Sequence, residues 1–234
     1  MRQDKTFYEH IEELRKIIIK SILTIAILSA IAYFFRNDIL KILTGPLGKE
    51  LIFLSPSEAF IALFKLSIIT GAVIAFPYLS YEAWKFVSDI FDKDKKKEII
   101  KYALASLFLF YGAIIFCYFF VLPAVLNFLI AFGDNNLIPY LTIDNYLNFV
   151  IYLLISFGLI FQFPLVLTAL INLDFVSVND LIKKRPHIIV AIFIIAAILT
   201  PTPDAISLML MALPMIVLFE ATILIARIKR KLVK

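Results

Sequence analysis

The chain has 234 residues, 62% of them apolar and 18% charged. Water-soluble domains sit at about 45–50% and about 25%, so a soluble globular fold is excluded. The single cysteine, Cys117, rules out an intrachain disulfide and a multi-cysteine metal site, and His10 and His187 stand too far apart in sequence to suggest a histidine metal cluster. The net charge of +5 does not point to nucleic acid, because the basic residues collect in the gaps between apolar runs.

A bilayer core of about 30 Å takes about 20 helical residues. Six apolar runs qualify as spans: 17–35, 59–80, 102–130, 146–171, 187–200 and 205–226. The third is long enough to tilt or to project beyond the lipid. The fifth covers about 21 Å at 1.5 Å per residue, so it must thin the bilayer or be shielded by partner helices. The first run is too long for a cleavable signal peptide and lacks a small-residue cleavage site. No internal repeat or low-complexity stretch shows, and residues 1–234 read as a single transmembrane domain. Segments 1–16, 81–101, 172–186 and the tail from Arg227 carry 18 Lys and Arg, against 3 in 36–58, 131–145 and 201–204. The positive-inside rule therefore predicts six spans with both termini cytoplasmic.

Ionisable and polar groups within spans are costly and mark functional candidates. Lys20 and Lys65 can snorkel toward the nearer surface. Glu220 sits about 9 Å from the end of the sixth run. It is either protonated or hydrogen-bonded to a neighbouring helix, or it is a contact for another transmembrane helix. Gln162 and Pro164 interrupt the fourth run; the glutamine seeks a partner across a helix interface, and the proline removes a backbone hydrogen bond. Pro77, Pro123 and Pro214 are expected to break three other spans similarly, which predicts a kinked, concave bundle. Cys117 reads as a packing residue, and Asp204 as the N-cap of the last helix.

The basic side also carries carboxylates: Glu9, Glu12 and Glu13, then Glu82, Asp89, Asp92, Asp94 and Glu98. Phe7, Ile11, Leu14 and Ile18 recur at helical spacing, so residues 7–18 form an amphipathic lead-in to the first span. Glu12 pairs with Lys16 at i,i+4. These acids form either a solvated, self-neutralising face or a patch that grips a basic peptide, two carboxylates taking two guanidinium groups bidentately. Phe86 and Trp84 beside them fit either a surface for the flanking residues or an interfacial aromatic belt.

In order and spacing these residues resemble the TatC family, the core subunit of the twin-arginine (Sec-independent) protein translocase. The resemblance rests on His10-Ile-Glu-Glu-Leu-Arg15, Gly45-Pro-Leu47, Ser55-Pro-Ser-Glu-Ala-Phe60, Pro77 through Trp84-Lys-Phe86, Phe161-Gln-Phe-Pro164, Lys184-Arg-Pro186, Thr200 to Asp204, Ala212-Leu-Pro214 and Phe219-Glu220. It implies an all-α, six-helix, glove-shaped protein of a prokaryotic cytoplasmic membrane, with no catalytic chemistry and no cofactor. It implies a receptor for twin-arginine signal peptides of folded cargo, driven by the proton-motive force, that self-associates and recruits single-span TatA/TatB-type partners. By the same resemblance, Glu13, Arg15 and Phe86 fall on signal-peptide positions. Gln162 falls on the fourth-span polar position, and Thr200, Ser207 and Glu220 on the partner-helix positions.

This chain departs from the family at several points. Asp89 stands where the resemblance implies proline, and Lys95 where it implies an arginine-binding acid; Asp94 and Glu98 are the neighbouring substitutes. Leu208 stands where some members carry a polar residue, and Thr202 splits a proline pair. Two other function classes stay in view at this point. A small-solute transporter needs a midplane polar site and repeats, and an intramembrane protease needs a Ser–His pair or two aspartates within spans.

Overall fold

The computed structural model describes residues 7–90, 96–131, 140–172, 175–200 and 204–232. Among these the backbone is helical, apart from turns and one isolated bridge between Ile52 and Thr142. The elements are α1 (Phe7–Phe34), α2 (Arg36–Thr44), α3 (Pro56–Ile90), α4 (Lys96–Phe116), a π-helical stretch (Cys117–Val121) and α5 (Leu122–Ala131). They continue with α6 (Ile143–Ile160), α7 (Phe163–Asn172), α8 (Val178–Lys183), α9 (Arg185–Leu199) and α10 (Ala205–Leu232). Five continuous stretches are long and apolar enough to cross a membrane: Ile11–Phe34, Pro56–Val87, Ile100–Ala131, Ile143–Asn172 and Ala205–Ile228. The shorter apolar helix Arg185–Leu199 joins them. Helices are the form that hydrocarbon demands, because each spanning segment must satisfy its own backbone donors and acceptors.

All six expected runs fall on these helices, most of which extend beyond them; Phe35 and Thr200 lie one residue past the ends of α1 and α9. Residues 7–18 lead into the first span as one continuous helix. Ile11, Leu14 and Ile18 on that stretch are exposed, as are Ile22, Leu23, Ile27 and Ile31 further along. Outward-facing large apolar side chains are what a lipid solvent permits.

Proline acts differently from the expectation that it breaks four spans. Pro77 and Pro214 lie inside continuous helices. Each removes one donor only, and helices in membranes tolerate that when neighbouring groups re-satisfy the freed carbonyl. The third span changes before its proline rather than at it. Cys117–Val121 widens to π geometry, and the Leu122 N–H donates five residues back to the Cys117 carbonyl, just ahead of Pro123. The fourth span does break, at Phe161–Gln162. There the Gln162 N–H bonds the Leu159 carbonyl at 3.0 Å, and Pro164 sits in the first turn of α7, where no intrahelical donor is needed.

The chain forms two compact units, 1–107 with 142–147, and 108–141 with 148–234. In the first, α1 packs along α3 around Ala32, Ala62, Leu66 and Ala75. The helices approach most closely at Gly71, where an added Cβ would lie 2.5 Å from the Ser29 backbone nitrogen and 2.6 Å from its Cα. Ser29 Oγ donates to the Ile25 carbonyl at 2.7 Å on its own helix and to the Ile68 carbonyl of α3 at 3.3 Å. Small residues at such a crossing let two backbones meet where no hydrophobic effect drives helices together. The same unit anchors the start of α6. The Ile143 N–H donates to the Ile52 carbonyl at 2.9 Å, Tyr146 Oη to the Leu43 carbonyl at 2.8 Å, and Lys65 Nζ to Asp144 Oδ1 at 2.8 Å. Lys65, which can snorkel toward the nearer surface, ends on Asp144 in the first turn of α6.

In the second unit α10 packs on α7, α8 and α9, with Met211, Ala212, Phe219, Ile223, Ala196 and Leu167 buried. Phe116, Phe157 and Phe161 form an aromatic cluster with ring centroids 6.1–6.5 Å apart. Gly158 leaves room beside it for the Phe110 ring. Cys117 is fully buried, in keeping with a packing role.

Gly71→Ala is expected to force α1 and α3 apart and to destabilise the protein by about 1–3 kcal/mol, the range for overpacking. Thermal unfolding in detergent micelles checks this: a lower midpoint is expected, and an unchanged one would mean that the crossing is loose.

Candidate functional site

Glu13 and Phe86, far apart in sequence, come together across α1 and α3. They line a groove of about 150 Å³ within the first unit. Its α1 wall carries Glu13, Lys16, Ile17 and Lys20, and its α3 wall carries Glu82, Lys85 and Phe86. Helical spacing puts them there: Glu13, Lys16, Ile17 and Lys20 recur at three- and four-residue steps on one face of α1, as Glu82, Lys85 and Phe86 do on α3. Glu82 Oε2 lies 3.8 Å from Lys85 Nζ, too long for a hydrogen bond.

The remaining expected residues of this group are placed otherwise. Arg15 is exposed and does not line the groove. Glu12 is tied to Lys16 at 2.8 Å, the expected i,i+4 pair, and does not line it either. Asp94 lies outside the described residues, and Glu98 is placed on the first turns of α4 by its backbone only. Of the two aromatics, Trp84 stacks on Tyr102 with ring centroids 4.8 Å apart, which leaves Phe86 as the groove's aromatic wall. Glu82 was seen in the sequence only as one of several acids. Its i,i+4 relation to Phe86 was the signal that puts it on the same face.

The second group lies along the last two helices and at the break in the fourth span. Gln162 Nε2 donates to the Gly158 carbonyl at 3.4 Å, one turn back on its own span. Thr200 caps the end of α9, its Oγ1 donating to the Ala197 carbonyl at 3.2 Å. Asp204 Oδ1 accepts from the Ser207 N–H at 2.7 Å and so caps α10, as expected. The Ser207 hydroxyl is buried without a hydrogen-bond partner among the described residues. Glu220 lies thirteen residues further on, about 20 Å along α10. Thr200, Ser207 and Glu220 therefore form a stripe rather than a pocket.

Glu220 Oε2 accepts from Arg185 Nη2 at 2.7 Å, joining the start of α9 to α10. Sequence reasoning missed Arg185, which looked like one more loop cation. Yet Arg185 stands 15 residues before Thr200 and Glu220 stands 16 after Asp204. In an antiparallel hairpin that arithmetic puts the two side chains level. Both are roughly one-third exposed, so the pair is worth about 1 kcal/mol, the upper end for exposed pairs. Glu220→Gln is expected to lower the unfolding midpoint by about 2–4 °C, and the double exchange Arg185→Glu with Glu220→Arg to recover most of it. Differential scanning fluorimetry in detergent reads both, and no change in the single variant would rule the pair out as a stabilising contact.

The family model for TatC, the Sec-independent protein translocase protein, matches residues 9–214, which include the first group and, of the second, Gln162, Thr200 and Ser207 but not Glu220. The chain is 38% identical over 225 residues to the Sec-independent protein translocase protein TatC of Carboxydothermus hydrogenoformans, covering 95% of this chain and 93% of that one. It is 37% identical over 227 residues to the protein of the same name from Aquifex aeolicus, covering 94% of each. It is also similar to a crystal structure of the twin arginine translocase receptor TatC in DDM, with a TM-score of 0.83 and 36% identity over 93% of this chain and 99% of that one. The chain therefore belongs to the TatC family, as a multi-pass integral protein of the prokaryotic inner membrane and a core, non-enzymatic subunit of the Sec-independent protein translocase.

Proposed function

We propose that this chain, acting as one transmembrane domain with both termini in the cytoplasm, is the receptor for twin-arginine signal peptides and the core through which folded cargo is exported. The observation that carries this reading is the α1–α3 groove, where carboxylates and an aromatic ring share one small space. A carboxylate takes a guanidinium in a two-pronged fork, which an ammonium cannot reproduce. Phe86 offers an apolar wall for the residues that flank the arginines. Arg15, Asp94 and Glu98 complete the peptide-binding set. The proton-motive force supplies the energy.

The stripe of Thr200, Ser207 and Glu220, together with Gln162, is proposed to receive single-span TatA/TatB-type subunits. Supporting this is the partly exposed Arg185–Glu220 ion pair at one end of the stripe, a polar contact that another membrane helix could share. The receptor core self-associates in the assembled translocase.

The test is binding of a fluorescent signal peptide to the full chain in lipid nanodiscs, with Arg-Arg compared to Lys-Lys. The expected result is at least about tenfold tighter binding of Arg-Arg, the equivalent of about 1.4 kcal/mol. Glu13→Ala is expected to weaken Arg-Arg binding more than Glu12→Ala, since Glu12 is engaged by Lys16. Equal affinity for the two peptides would overturn the receptor reading.

A further inference from the structure

We propose that Glu82 is the second carboxylate of the arginine-pair site, the one that this chain's lysine-rich loop does not supply. The inference rests on the receptor reading above and adds to it the residue that reads the second arginine.

Two guanidinium groups need two carboxylates. Successive side chains of an extended peptide point to opposite sides, so an Arg-Arg pair lying in the groove presents one guanidinium to each wall. Glu13 stands on the α1 wall and Glu82 on the α3 wall, which is the arrangement such a pair requires. These are the groove's two carboxylates among the described residues. The sequence from 92 to 97, after α3, reads Asp92-Lys-Asp-Lys-Lys-Lys97, and its four lysines repel a dicationic segment.

The surroundings of Glu82 in the groove fit exchange. Its side chain is 15% exposed while that of Lys85 is 49% exposed, so the carboxylate is held in the wall and the ammonium leans toward the outside. Their 3.8 Å separation is a loose contact without a hydrogen bond. An arriving guanidinium offers two hydrogen bonds in place of none and releases a lysine that already has an open route out. Lys85 then acts as a stand-in for one of the peptide's own cations, and a peptide lysine gains nothing by replacing it.

The experiment measures four peptides, Arg-Arg, Arg-Lys, Lys-Arg and Lys-Lys, against the full chain in nanodiscs and against Glu82→Gln, Glu82→Asp, Glu98→Gln and Lys85→Met. The original chain is expected to prefer arginine at both positions. Glu82→Gln should lose discrimination at one position, with about a tenfold drop for Arg-Arg, and keep it at the other. Glu82→Asp should restore part of the preference, Glu98→Gln should weaken all four peptides alike and so keep the preference at both positions, and Lys85→Met should tighten Arg-Arg binding severalfold by removing the competing ammonium. If Glu82→Gln and Lys85→Met both keep the original profile, or if Glu98→Gln is the variant that loses one position, the assignment of Glu82 is wrong while the receptor reading stands. If the original chain does not tell arginine from lysine at either position, the receptor reading fails and this inference falls with it.

Discussion

A bilayer offers no water to solvate a charge or a bare backbone amide, and the informative polar residues of this chain are arranged around that constraint. Lys65 meets Asp144 at 2.8 Å, and Arg185 meets Glu220 at 2.7 Å. Each pair joins residues far apart in sequence, so the need to neutralise a charge near hydrocarbon also fixes which helices lie together. The backbone obeys the same rule. A π-helical turn re-routes a hydrogen bond ahead of Pro123, and a two-residue break precedes Pro164. Neither leaves an extended stretch of unpaired peptide in a span.

The groove between α1 and α3 contrasts with these pairs. Two carboxylates and three lysines share it; Lys16 is held by Glu12 at 2.8 Å, but the Glu82–Lys85 contact is long. A surface with charges in loose contact can exchange partners at little cost, whereas the 2.7–2.8 Å pairs are structural. That difference separates the residues that hold the fold from those proposed to hold a peptide. In the proposed site, unequal bonding geometry rather than net charge is the basis for telling arginine from lysine, since the groove is itself rich in lysine.

Much of the fold was legible in the sequence because span length and apolar content are direct consequences of bilayer thickness. Five strongly apolar helices and one shorter one fall on the six expected runs. The N-cap at Asp204, the Glu12–Lys16 pair and the burial of Cys117 were equally readable, since each depends on local spacing or on side-chain character alone. Prolines misled, because a chain in lipid keeps its helix through Pro77 and Pro214, where a sequence pattern suggests a break. The ion pairs were not foreseen because periodicity speaks about one helix at a time, while Lys65–Asp144 and Arg185–Glu220 are set by which helices become neighbours. The second was within reach through hairpin arithmetic. Of the site, Glu13 and Phe86 were named on resemblance and lie in one groove. Glu82 needed the structure, because nothing in the sequence tells that α1 and α3 bring these particular faces together.

The most direct test of the account places a photo-reactive phenylalanine immediately after the arginine pair of a signal peptide, irradiates its complex with the full chain in membranes, and maps the adducts by mass spectrometry. The account predicts adducts on the groove walls, at residues 13–20 of α1 and 82–86 of α3, that disappear when Lys-Lys replaces Arg-Arg. Adducts confined to the α9–α10 stripe, or adducts on the groove that are indifferent to that replacement, would contradict it.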